Sequence, residues 1–228
     1  MRLLKRVFGP SQNEVWRDLS DQIGGEFVKG GFFGGSSKVQ ADVNNWSITL
    51  DTFTVSTGKS SVTYTRMRAR FMDRDGFRFT IYRKKLLSGL GKLLGMQDVE
   101  VGGPKFDRLE PLFGAPGYLD PQVIESGDPD FDSDFIIKGN DEAKVKSLFK
   151  RLRVRELIQS QPAILLQIKG TGGWLKGGRD EGVAELYFQV TGVIKDLGRL
   201  KQLFELFGEV LKALHSSGSA SDEAVQNP

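Results

Sequence analysis

Between Lys38 and Arg83 the chain alternates β-branched and aromatic side chains with polar ones, and turn residues interrupt the alternation at regular intervals. That pattern demands an antiparallel meander, because a period of two gives each strand one apolar and one polar face. Four strands are expected there. Trp46, Ile48 and Leu50 share one face while Phe53 and Val55 fall on the other, which predicts a bulge near Asp51-Thr52. The turn Ser56-Thr57-Gly58-Lys59 leads into VTYTRMRARF, and Asp73-Arg74-Asp75-Gly76 leads from it into FRFTIYR. Both turns contain a glycine free to take positive φ, and the two strands flanking the second are expected to pair.

Helical spacing appears on either side of this meander. Ser11-Gln12-Asn13-Glu14 has the form of a capping box, and Val15, Trp16, Leu19 and Ile23 follow at helical intervals, predicting a helix over 11–23. Glycine pairs then break regular structure through GGFFGG at 30–35. Leu86, Leu87, Leu90, Leu93 and Leu94 suggest a short helix, against the propensity cost of Gly89 and Gly91. Residues 102–131 hold five of the eight prolines and read as a long irregular loop. After it come a strand in DFIIKG, one or two helices in EAKVKSLFKRLRVRELIQ, and half-buried strands in AILLQIKG and VAELYFQVTG, with GTGGWLKGG as a hairpin tip. Leu197, Leu200, Leu203, Phe204, Phe207, Leu211 and Leu214 form the clearest helical stripe.

The fold class expected is α+β, a mainly antiparallel, curved sheet packed against a long C-terminal helix. One domain over residues 1–214 and a disordered polar tail over 215–228 complete the layout. A sheet curling around a final helix is similar to helix-grip and PH-like architectures, as an analogy of fold alone.

Composition limits the chemistry. No apolar run reaches the roughly 18 residues a membrane span needs, and the opening residues lack the apolar core of a secretory signal, so a soluble cytoplasmic protein is expected. The chain has no cysteine and one histidine, which excludes disulfides, thiolate chemistry and multi-histidine metal sites. No cofactor is implied. Asp128, Asp130, Asp132 and Asp134 mimic the spacing of a calcium loop, but Ser133 and Gly139 stand where its glycine and bidentate glutamate belong, so no metal site is assigned. These acids, with Asn140-Asp141-Glu142, read instead as caps of turns and helices. Gly89-Leu90-Gly91-Lys92 lacks the outer glycine and the hydroxyl of a phosphate loop.

Charge is segregated along the sequence. Lys59 to Lys92 carries ten Lys/Arg against Asp73 and Asp75, whereas Gln97 to Glu142 carries twelve Asp/Glu against three cations. Period two places Arg66, Arg68 and Arg70 with Tyr64 on one strand face, opposite Met67, Ala69 and Phe71. Such a face suits a polyanion, nucleic acid or anionic lipid, with Tyr64 or Tyr82 available for stacking. The competing expectation is a solvated face neutralised by the acidic segment. Phe32, Phe33 and Trp174, on glycine-rich tips, are expected either to fold back onto the core or to serve as anchors for a protein partner or a membrane.

The blocks FGPSQNEVW, WSITLDTFTVSTGK, TYTRMRARF, FRFTIYRK, GMQDVEVG, FDSDFIIKGNDEAKV, VRELIQSQP, ELYFQVTGVIKD and LKQLFELFGEVLKAL together resemble an uncharacterised bacterial protein family, over about residues 8–214. The resemblance implies no activity and transfers no catalytic residue. Relative to it, RLEPLFGAPGYLDPQVIES reads as an insertion.

The residues thus favour a noncatalytic binding module using Tyr64, Arg66, Arg68, Arg70, Tyr82 and Trp174, whose partner is another protein or a polyanion. Two alternatives stand beside it. One is an enzyme using carboxylates near Asp98, Asp130, Asp132 and Asp134; the other is peripheral attachment to an anionic membrane through the same arginines with Lys84 and Lys85.

Overall fold

The computed structural model describes residues 9–31, 35–57, 60–84, 122–170 and 182–221. Helix α1 (Gln12–Ile23) starts at Ser11, whose hydroxyl accepts from the Glu14 amide while the Glu14 carboxylate accepts from the Ser11 amide. It stops at Gly24, which takes the left-handed conformation that glycine adopts at least cost. Its apolar face buries Val15, Trp16 and Leu19, and the Trp16 indole N–H donates to the Ile194 carbonyl at 3.1 Å.

Strands β1 (Glu26–Val28), β2 (Lys38–Val43), β3 (Trp46–Thr57), β4 (Ser60–Asp73) and β5 (Phe79–Arg83) follow. Then come β6 (Gln122–Val123), α2 (Pro129–Asp134), β7 (Phe135–Gly139), α3 (Glu142–Phe149) and α4 (Leu152–Gln159). The chain closes with β8 (Leu165–Gly170), β9 (Val183–Thr191), α5 (Leu197–Ser216) and β10 (Ala220–Ser221). The strands form one antiparallel sheet in the order β1-β2-β3-β4-β9-β8-β5-β7-β6, with β10 added to β4. The protein is therefore α+β, with a large antiparallel sheet and a long C-terminal helix.

The inner face of the sheet carries Ile48, Leu50, Met67, Ala69, Phe71, Leu186, Phe188, Leu166, Ile168, Ile81 and Ile137, which join residues of α1, α3, α4 and α5 in one hydrophobic cluster. Helix α5 buries Leu200, Leu203, Phe204, Phe207, Leu211 and Leu214, as its stripe predicts. Gly208 lets it approach β2 closely: a Cβ there would lie 2.8 Å from Val43 Cγ1.

Several expectations need correction. The β3–β4 ladder runs in unbroken register from Ile48↔Ala69 to Thr57↔Ser60, so there is no bulge at Asp51-Thr52. Strands β4 and β5 do not pair. β9 and β8 lie between them, and β5 pairs with β8 and β7. The turn after β4 does form, with the Gly76 amide donating to Asp73 Oδ1, but it is tied to the end of β7. Asn140 accepts from the Arg78 amide and donates to the Gly76 carbonyl, while Lys144 reaches Asp75 at 2.6 Å.

The end of the expected 102–131 loop contains β6 and the start of α2, whereas the leucine-rich segment 86–94 lies outside the described residues. The tail expected to be disordered from 215 continues as helix to Ser216 and then as β10, with Ser219 and Ala220 buried. Hydrogen bonding accounts for this order: the Ser219 hydroxyl donates to Asp75 and its amide to the Leu214 carbonyl. Strand β8 is buried on both faces, not one, since Leu165 and Gln167 are as inaccessible as Leu166 and Ile168.

Candidate functional site

The outer face of the sheet follows from the same alternation that builds the core. With Met67, Ala69 and Phe71 turned inward on β4, Tyr64, Arg66, Arg68 and Arg70 must turn outward. Antiparallel register then fixes their neighbours. Arg66 stands between Asp51 of β3 and Gln189 of β9, Arg68 between Thr49 and Tyr187, and Arg70 beside Glu185. One strand further, Lys169 of β8 faces Glu185 and Gln167 faces Tyr187.

Asp51 organises this face. Arg66 donates to it through Nε at 2.7 Å and Nη2 at 2.8 Å, and Arg68 adds a third bond through Nη2 at 2.8 Å. The carboxylate is buried, with a side-chain exposure of 9%, whereas the two guanidinium groups remain partly open at 24% and 34%. Hydrogen bonding to Asp51 raises the Arg66 pKa further above its ordinary value. Arg68 Nε is buried and has no hydrogen-bond acceptor among the described residues. Two cations thus share one anion, and part of their donor capacity stays unused.

Beside them lies a half-desolvated group of ionisable side chains. The Lys169 ammonium sits 3.3 Å from the centroid of the Tyr187 ring. Burial lowers its pKa to about 8, opposed by Glu185 and assisted by Arg66. Burial likewise pushes the Tyr187 phenol up to about 12 and raises Glu185, whose charge is favoured by Arg68, Lys169, Arg66 and Arg70. The Tyr187 hydroxyl donates to Gln189 Oε1 at 2.8 Å. Among the described residues of β3, β4, β8 and β9, Arg66, Arg68, Arg70 and Lys169 outnumber Asp51 and Glu185 on this face.

Tyr82 lies in the same cross-strand row as Arg66, through Leu165 and Gln189, but at 4% exposure it is inside the protein and offers no ring face to a base. Trp174, with Phe32, Phe33, Asp98 and Lys85, lies outside the described residues. Lys84 donates to the Asp132 carbonyl.

Asp132 and Asp134 of the alternative site, with the neighbouring Asp128, are engaged structurally. Asp128 caps the Phe131 amide and meets Arg155; Asp132 accepts from the Ser126 and Gly127 amides; Asp134 pairs with Arg83 at 2.9 Å. Asp141 caps α3, and Asp130 lies in the first turn of α2. Among the described residues no three acidic or imidazole groups are placed to hold a metal ion. None of the helices described is long and apolar enough to cross a membrane.

Asp51, Lys169, Glu185, Tyr187 and Gln189 escaped the sequence reading of the site. The signal for three of them was present, because assigning Ala184, Leu186, Phe188 and Val190 to the core leaves Glu185, Tyr187 and Gln189 on the opposite face. Nothing local, however, tells which strand β9 adjoins.

No family model and no curated protein matches the chain, which is compatible with an uncharacterised family. Among solved structures, the mycobacterial trehalose monomycolate transport factor A, TtfA, aligns over 89% of this chain and 95% of its own. Identity is 8% and the TM-score 0.45, a likeness that says nothing about what this chain binds.

Proposed function

We propose that this protein is a noncatalytic binding module that holds a phosphate-bearing polyanion on the outer face of its sheet. The observation that carries this reading is the Asp51 fork. It fixes Arg66 and Arg68 side by side at the cost of only some of their N–H groups, and leaves both guanidinium side chains partly open to solvent. A guanidinium held rigid on one edge loses less entropy when its other edge meets a phosphate. Arg70 and Lys169 extend the positive field along β4 and β8.

Inorganic polyphosphate is the neutral probe, since it carries phosphates without base or lipid. Binding should weaken steeply between low and physiological ionic strength, because each phosphate neutralised releases condensed counterions. It should fall further in Arg66→Gln/Arg68→Gln/Arg70→Gln, while Lys201→Gln/Lys212→Gln on exposed positions of α5 binds as the parent does. Equal binding by both variants, with the triple variant folded by circular dichroism, would remove the outer face as the site.

A further inference from the structure

Along β3 and β4 the polarity of the alternation reverses where the ribbon leaves the sheet. β2 pairs with β3 only as far as Leu50, and β9 pairs with β4 only from Thr65 onward. Beyond those points β3 and β4 continue as a two-stranded ribbon, touched among the described residues by the bridge from Gly192 to Tyr64. Because the register is unbroken, Phe53 and Val55 lie on the same face as Asp51, opposite Tyr64 and Val62. The other face is a hydroxyl ladder: Thr52 opposite Thr65, Thr54 opposite Thr63 with 2.9 Å between their Oγ1 atoms, and Ser56 opposite Ser61.

The outer face therefore changes along its length from basic to apolar. Phe53 stacks on Tyr64 with centroids 5.1 Å apart and an interplanar angle of 16°, and the Arg66 guanidinium lies 4.9 Å over the Phe53 ring. Val55 is among the exposed large hydrophobic residues, and Tyr64 and Val62 are half-exposed. Among the described residues the hydroxyl face is met by the Gly192–Ile194 segment, which bonds to Thr63 and Thr65, whereas Val55 on the apolar face is exposed. At the boundary of a lipid bilayer that separation has a use, since apolar side chains enter the acyl boundary and adjacent arginines meet anionic headgroups.

Resting on the polyanion-binding reading, we infer that the β3–β4 ribbon docks on an anionic membrane surface. Phe53, Val55, Val62 and Tyr64 enter the interface, and Arg66, Arg68 and Arg70 bind the lipid phosphates behind them. The complementarity of charge selects this occupant: the apolar patch is bordered by cations, and the Asp51 carboxylate among them is already engaged by two arginines.

Adjacent residues on opposite faces give the test. Val55→Asp and Thr54→Asp add the same charge at nearly the same place, but only the first puts it on the apolar face. Co-sedimentation with phosphatidylglycerol–phosphatidylcholine vesicles should show affinity falling at least about tenfold in Val55→Asp and much less in Thr54→Asp. Vesicles of phosphatidylcholine alone should bind weakly. Polyphosphate binding should be nearly the same in the two variants, because the arginines are intact. Equal vesicle binding by both variants, with polyphosphate binding retained, overturns the membrane inference and leaves a soluble polyanion as ligand. Loss of neither ligand in the triple arginine variant overturns the polyanion reading itself. A dimer in the parent that Val55→Asp dissociates would show a second copy on the ribbon, and also overturns the inference.

Discussion

The two halves of the β3–β4 pair share one ladder and one register, yet they solve opposite problems. In the half inside the sheet, Ile48, Leu50, Met67 and Ala69 point to the helices, and Arg66, Arg68 and Asp51 point away. In the projecting half the hydroxyls continue the inner face and the apolar residues continue the outer one. Where no described helix packs on the ribbon, the alternation is free to serve another contact. A strand's pattern reports what each face touches locally, so a change of sign along one strand need not mean a change of register.

That comparison breaks most visibly in the core. Leu203→Ala or Phe207→Ala in α5 empties a site buried against the inner face and should cost about 2–5 kcal/mol in urea denaturation. A loss below about 0.5 kcal/mol would mean that α5 is not docked as described. Next in size is Asp51→Ala. It removes three charge-assisted hydrogen bonds and leaves two neighbouring guanidinium groups without their shared anion, an expected loss of about 1–3 kcal/mol. A neutral result would show that the arginines find water as readily as the carboxylate.

The ribbon should be more tolerant. Phe53→Thr gives up the stack on Tyr64 and the contact with Arg66, at about 0.5–1.5 kcal/mol. If Phe53→Thr were as costly as Phe207→Ala, the ribbon would have to be part of the core, and its apolar face would not be available to a membrane.

Much of this was legible in the sequence because it is local. The Ser11–Glu14 box, the Asp141 cap, the stripe of α5 and the outward set Arg66, Arg68 and Arg70 depend on residues a few positions apart. The separation of β4 from β5 was not. Asp73-Arg74-Asp75-Gly76 has every mark of a hairpin turn, and what redirects it are Asn140 and Lys144, more than sixty residues away. The bulge failed for a related reason. It assumed that Phe53 must reach the core, whereas Phe53 has Tyr64 and Arg66 as partners on the outer face. The site was half legible: alternation placed the arginines, but Asp51, Glu185 and Lys169 join them only through strand order, which no short-range pattern encodes.

The finest distinction concerns the two carboxylates on the outer face. Asp51 binds its arginines directly, while Glu185 acts on Lys169 chiefly as a nearby charge. In the folded protein Lys169 titrates near 8, against an ordinary value of 10.5 that the unfolded chain should retain. Between those values the unfolded chain binds more protons, so stability rises with pH across that window, and the penalty for burying the ammonium is felt in full below it. Ionised Glu185 favours the ammonium and opposes that penalty. Glu185→Gln should therefore lower the Lys169 pKa below about 8, by less than about one unit, equivalent to at most about 1.4 kcal/mol. Carbon-13 NMR of reductively methylated protein, with Lys169→Arg to assign the signal, reads the shift directly. The absence of a shift would mean that Glu185 is neutral when Lys169 titrates, and that desolvation of the outer face, not its charge pairing, governs both groups.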